Sequence, residues 1–249
     1  MSCREMRLCS ARLCHYIYVA SIQELIQRAE DLGTRVNGYP EFIPEVLPEL
    51  LAMLENDQDT EVLEAVINSL GLVCNEEACL AVIPFAQHPD DAIRLAAVRS
   101  MSGGVDSEES MAKVARALIP RCQDQNPEIR DWALFGIGSQ MDLDSPGIRE
   151  ALRRGLSDEN YDASCEAMAG LARLGDPAAF PAILHVLNAE SVGRLVVESA
   201  AELGDPRLSS SLDKLSTWWN VDVELLKRAR DACKQPSARR SLHEAGSDT

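Results

Sequence analysis

The stretch Asp124-Gln-Asn-Pro-Glu-Ile-Arg-Asp-Trp-Ala-Leu-Phe-Gly-Ile-Gly138 decides how the rest of the chain is read. Its first residues spell a helix start. Pro127 lacks an N–H and is tolerated best in a first helical turn. Asn126 offers a side-chain oxygen to an otherwise orphaned backbone N–H, and Glu128 sits at the positive end of the helix dipole. Ile129, Ala133 and Ile137 then fall on one stripe of an α-helix, so the spacing predicts a helix over Glu128–Gln140. The residues just before, Ser110–Ile119, carry Met111, Val114, Ala115, Leu118 and Ile119 with the same periodicity. Ser110–Gln140 therefore reads as two helices joined by a turn.

Working outward, the same plan recurs. An apolar residue is answered eight positions later by another, usually next to glycine: Val62…Leu70-Gly71, Ile93…Met101, Ile129…Ile137-Gly138, Ala163…Leu171 and Leu195…Leu203-Gly204. The leading residues lie 31, 36, 34 and 32 positions apart, a period that marks stacked repeats. Further pairs are expected at Pro44–Leu54 with Glu61–Val73, Cys79–Ala86 with Ala92–Met101, and Gly147–Leu156 with Asp162–Leu174. Ala178–Leu187 with Val192–Leu203 and Leu208–Trp218 with Val223–Cys233 complete the series, and a helix over 21–32 caps its start. Gly175-Asp-Pro177 and Gly204-Asp-Pro206 act as stop-and-restart punctuation. Only Tyr16–Val19 comes near a strand pattern, so an all-α protein is expected.

These residues resemble HEAT repeats. In that family the second helix of each repeat opens with an acidic or Asn-Pro turn, then an apolar residue and Arg, then Ala four positions after the apolar one. Asp124-x-Asn-Pro-Glu-Ile129-Arg130-Asp-Trp-Ala133 matches closely, and Asp90-Asp-Ala-Ile93-Arg94-Leu-Ala-Ala97 nearly as well. Other units depart from the pattern, with Leu63, Ser164 and Val196 in the Arg slot and Val66 and Ser199 in the Ala slot. The resemblance spans roughly residues 44–205. It implies an α-solenoid of about five to six antiparallel helix pairs in a right-handed superhelix, each pair burying its apolar face against its neighbours. The repeat domain is placed at 21–234, between an irregular extension at 1–20 and a tail at 235–249 too poor in apolar residues to fold.

Composition narrows function. The formal net charge is −16, and because the two ends contribute +2 and 0, residues 21–234 carry −18. Phosphate backbones are bound through Lys and Arg that release counterions, so neither nucleic acid nor an anionic membrane is expected as a partner. The basic concave face of HEAT-like alkylpurine DNA glycosylases has no counterpart here. Arg12 and His15 interrupt the apolar run Leu8–Ala20, which argues against a signal peptide. No run approaches a membrane span, and a soluble, cytoplasmic protein is expected. The eight cysteines form no C-x-x-C pair. Cys3, Cys9, Cys14 and His15 could in principle hold zinc, but small reduced thiols are the expected reading.

Enzymatic relatives of this build set a test. Deoxyhypusine hydroxylase binds iron through repeated His-Glu pairs. Here only His243 of the four histidines precedes Glu, so that activity is not expected. No phosphate loop or nucleophile elbow is present. His88 beside Pro89 reads as a solvated turn residue and His185 as a packed or exposed helix residue. A phycobilin lyase-like enzyme acting on a ligand in the groove is kept as an alternative, although no residue singles it out. No catalytic residue, metal or cofactor is assigned.

With second helices lining the inner curve, positions two, three and six after each leading apolar residue should project together. They are Glu64, Ala65 and Asn68; Leu95, Ala96 and Arg99; Asp131, Trp132 and Phe135; Cys165, Glu166 and Ala169; and Val197, Glu198 and Ala201. Glu64, Arg99, Asp131, Trp132, Phe135, Glu166 and Glu198 are the expected partner-binding residues. The aromatic pair would anchor a basic protein partner, and the acidic row would steer it. The function expected is a non-enzymatic interaction module, in one version an inhibitor or immunity protein for a cationic toxin, in another a general adaptor or scaffold. Trp218-Trp219 is expected to cap the last core.

Overall fold

The computed structural model of the protein describes residues 21–56 and 59–234. The extension at 1–20, the tail at 235–249 and part of the turn after Asn56 lie outside the described residues, as do Tyr16–Val19, His243 and the Cys3, Cys9, Cys14 and His15 group. The described residues are all-α, with no strand among them. Helix 21–36 (α1) is followed by α2 (Ile43–Asn56), α3 (Thr60–Val73), α4 (Glu76–Ala81), α5 (Asp91–Ser100) and α6 (Glu108–Leu118). Then come α7 (Pro127–Phe135), α8 (Pro146–Gly155), α9 (Tyr161–Arg173) and α10 (Ala179–Leu187). The series ends with α11 (Arg194–Leu203), α12 (Ser209–Leu215) and α13 (Val223–Lys234). The chain divides into two compact units, Met1–Val114 and Ala115–Thr249.

The turn chemistry explains where helices begin. Asp59, Asp90, Asn126 and Asn160 each hold an extended backbone and accept a hydrogen bond from the N–H two residues on, so every long second helix of the repeats up to α9 opens on a side-chain cap. Several expected helices break sooner than their periodicity implies. The segment expected as one helix over Cys79–Ala86 is α4 plus a 3-10 turn, Ile83–Gln87, because Pro84 cannot donate to the helix ladder. Pro120 has the same effect in the 3-10 turn Ile119–Gln123. The helix expected to reach Gln140 stops at Phe135 and widens into a π turn, Gly136–Gln140.

In the first unit α3 packs between α2 and α5. Arg28 binds Glu49 and Arg35 binds Glu45 through two-pronged pairs that tie α1 to α2. In the second unit α7, α9, α11 and α13 stack in order, while α8, α10 and α12 lie against the helices that follow them. Each stack buries the leading and eighth-position residues: Val62 and Leu70, Ile93 and Met101, Ile129 and Ile137, and Ala163 and Leu171 are all essentially inaccessible.

The fifth repeat corrects the sequence reading. Leu195 and Leu203 are half-buried, whereas Val196 and Ala200 are sealed. The buried side of α11 is formed by Val196, Val197, Ser199 and Ala200, so Leu195 does not lead it as expected. The run Leu195-Val-Val197 is wider than the buried stripe, so periodicity alone leaves its phase open.

Arginine holds the turns. The Arg94 guanidinium donates to the carbonyls of His88 and Pro89 and to Asp91. Arg130 does the same at the carbonyls of Asp124 and Gln125 and also forms a bidentate pair with Asp158 at 2.7 and 2.9 Å. The Arg slot of the repeat is therefore structural: a planar guanidinium satisfies turn carbonyls left without a helical partner. Asp176, with no exposed side-chain surface, accepts from Arg149, Arg153 and the Ala178 N–H.

Candidate protein-binding face

The outward stripe of α7, α9 and α11 carries the expected site residues of the second unit. Asp131, Trp132 and Phe135 on α7 are half-buried, as are Glu166 on α9 and Glu198 on α11. The Trp132 and Phe135 rings meet edge to face, centroids 5.5 Å apart at 89°, a favoured arrangement for two aromatic quadrupoles. Neither ring is sealed inside the stack.

Three residues expected on the stripe are not there. Ala96, Cys165 and Val197 are buried, at 2 %, 6 % and 0 % exposure. Glu64, on α3, is half-buried and Arg99, on α5, is exposed. Both belong to the first unit, so the structure brings Asp131, Trp132, Phe135, Glu166 and Glu198 together as one group.

Two carboxylates of that group are shifted upward. Burial raises the Asp131 carboxyl above its ordinary pKa, and the charges of Asp162, Glu128 and Asp158 raise it further. Glu166 is likewise raised, first by burial and then by Asp131, Asp162 and Glu198, against the lowering effect of a hydrogen bond from Ser139 Oγ at 2.8 Å. No Lys or Arg among the described residues offsets either carboxyl. Glu198 is different: Arg194 pairs with it at 3.2 Å.

Asp162 is a member of this acidic group that the phase argument left out. It precedes the leading residue Ala163 and stands one helical turn before Glu166, so extending the stripe by one turn would have found it. Tyr161, 52 % exposed, adds an aromatic edge beside it; its position before the leading residue gave no comparable signal.

The remaining candidates resolve simply. His88 Nδ1 accepts the Asp90 N–H and so belongs to the turn, and His185 is exposed on α10. Burial pushes the Cys79 and Cys122 thiols up to about 12 and Cys233 to about 11, which makes them poor nucleophiles and ligands. Among the described residues no group of His, Cys, Asp and Glu is placed to hold a metal ion, and no helix is long and apolar enough to cross a membrane. Trp219 caps the last core as expected, its indole N–H donating to Val192 O at 2.8 Å. Trp218 does not; it is half exposed.

Capped helix pairs, a repeating buried register and a polar outward stripe define a helical-repeat protein of the solenoid type. A family profile described as HEAT repeats matches residues 47–118 and 115–204. The chain belongs to the HEAT-repeat family. Protein YibA of Escherichia coli K12 is 30 % identical over 118 residues, 47 % of this chain and 41 % of that protein. The chain thus aligns in sequence with about two-fifths of the relative's length. The X-ray structure of Escherichia coli YibA superposes with a TM-score of 0.64 at 22 % identity, covering 86 % of this chain and 82 % of that one. An archaeal HEAT-like repeats protein from Thermococcus onnurineus NA1 gives 0.59 at 11 % identity, covering 86 % and 97 %. At these identities the structural likeness is one of fold.

Proposed function

We propose that this protein is a non-enzymatic interaction module whose acidic and aromatic face on α7, α9 and α11 binds a basic segment of a partner protein. The observation that carries the proposal is the pairing of two half-buried carboxylates with no partner cation among the described residues, Asp131 and Glu166, with the partly open Trp132–Phe135 pair. Holding ionised carboxyls in a desolvated place without a counterion costs stability. A cationic partner would remove that cost on docking, and the aromatic pair would supply apolar contact at the centre of the patch. The charge of −16 steers such a partner in and repels polyanions. In its narrower form the module is an inhibitor or immunity protein that covers the cationic surface of a toxin; an adaptor that gathers a basic partner into an assembly uses the same face.

The test is a calorimetric titration with an unstructured polycationic peptide at two salt concentrations. Binding should weaken as salt rises, and Trp132→Ala combined with Asp131→Lys should reduce it by roughly a hundredfold, as loss of an aromatic anchor and a charge reversal together would. Unchanged affinity in the double variant would remove this face from the function.

A further inference from the structure

Resting on the reading of the α7–α9–α11 face as a docking surface for a basic segment, we infer that the group it selects is the guanidinium of arginine rather than the ammonium of lysine. The protein's own buried carboxylates show the rule. Asp158, 7 % exposed, is held by Arg130; Asp176, fully enclosed, by Arg149 and Arg153; Asp124, 3 % exposed, by Arg121; Asp205, 1 % exposed, by Arg207. Arginine pairs also occur in the open, but among the described residues the pair formed by a lysine, Lys113 with Glu109, is found there and not in the interior, at 43 % and 80 % exposure.

The physical reason is hydration. A guanidinium is weakly hydrated and presents its donors in a flat fork that fits a carboxylate, whereas an ammonium is a compact, strongly hydrated charge that gives up its water reluctantly. Asp131 and Glu166 are partly desolvated carboxylates with no arginine paired to them among the described residues. Glu166 is already oriented by Ser139 on Oε2, which leaves Oε1 to meet an incoming donor. The neighbouring aromatic pair adds to the preference, since planar guanidinium stacks on rings. The chain does this elsewhere, with Arg207 3.6 Å above the Phe180 ring and Arg35 4.6 Å above Phe42.

The experiment uses the full chain and a series of unstructured peptides of one sequence whose basic positions are all arginine, all lysine or all citrulline. Citrulline keeps the shape of arginine without its charge. Calorimetry should show the arginine peptide binding roughly tenfold tighter than the lysine peptide, the advantage expected of bidentate, weakly hydrated pairing, with the citrulline peptide inert. In Asp131→Asn with Glu166→Gln, whose fold is checked by circular dichroism, that advantage should disappear. Equal affinity for arginine and lysine would overturn the selectivity while leaving a basic-segment reader intact. An arginine preference that survives in the double variant would place it elsewhere and overturn the inference too. Failure of every charged peptide to bind would remove both the selectivity and the docking surface.

Discussion

Gly170 of α9 touches the backbone at Gly138: a Cβ on Gly170 would lie 2.7 Å from the Cα of Gly138. The same relation occurs in the first unit, where a Cβ on Gly71 would lie 2.6 Å from Ser100 Oγ, itself bound to the Ile67 carbonyl. In both repeats the small residue after the eighth-position apolar side chain lets the next second helix press against it. The glycine that follows Leu70 and Ile137 in the recurrent pattern is therefore a stacking device. Gly204, at the end of α11, differs: its φ of +57° makes it a left-handed helix cap.

Gly170→Ala should accordingly destabilise the protein by about 1–3 kcal/mol, the usual cost of overpacking a filled contact. Gly103→Ala, where a Cβ meets nothing within 4 Å, should stay within about 0.5 kcal/mol of wild type. Urea unfolding of both variants checks the pair. Equal midpoints would show that the helices are not held this close.

Arg130→Met should cost about 2–3 kcal/mol, because it strips the buried Asp158 of its cation and two turn carbonyls of their donor. The penalty should depend on pH in a definite direction. Arg130 and the Asn160 N–H hold the Asp158 carboxyl below its ordinary pKa. Its contribution to stability is complete above the unfolded value and is lost as pH falls through the lowered folded one. Wild type and variant should therefore converge in acid, as read from denaturation midpoints across pH.

Glu166→Gln should raise the melting temperature at neutral pH while weakening capture of a basic peptide. The folded Glu166 pKa lies above the unfolded value, so its stabilising, protonated form is present at low pH and lost as pH rises through the folded value. Glutamine keeps an oxygen for Ser139 and avoids the cost of the charge. The stability gain should vanish in acid. A neutral-pH melting temperature below that of wild type would contradict the raised pKa.

Cys74 should label rapidly with a thiol reagent in the native protein, since it is exposed. Cys79, Cys122 and Cys233, buried and protonated, should label only on unfolding. Peptide mapping after native labelling separates them; modification of Cys122 without denaturant would show that its helix opens.

Much of this protein is legible in its sequence. Asn126, Asp90 and Asn160 announce helix starts through local hydrogen bonds, and the spacing from Ile129 to Ile137 declares a buried stripe, because both effects act within a few turns of backbone. Asp131, Trp132 and Phe135 could be placed on one outward stripe for the same reason. Tertiary structure alone decided what depends on neighbouring helices: which residues of Leu195-Val-Val197 are buried, the burial of Cys165 and Ala96, and the opposite fates of Trp218 and Trp219. It also decided that Asp158 receives Arg130 while Asp131 and Glu166 receive no cation from the described residues. Helical phase is a property of one segment, but burial and ionic pairing are set by which segments pack together.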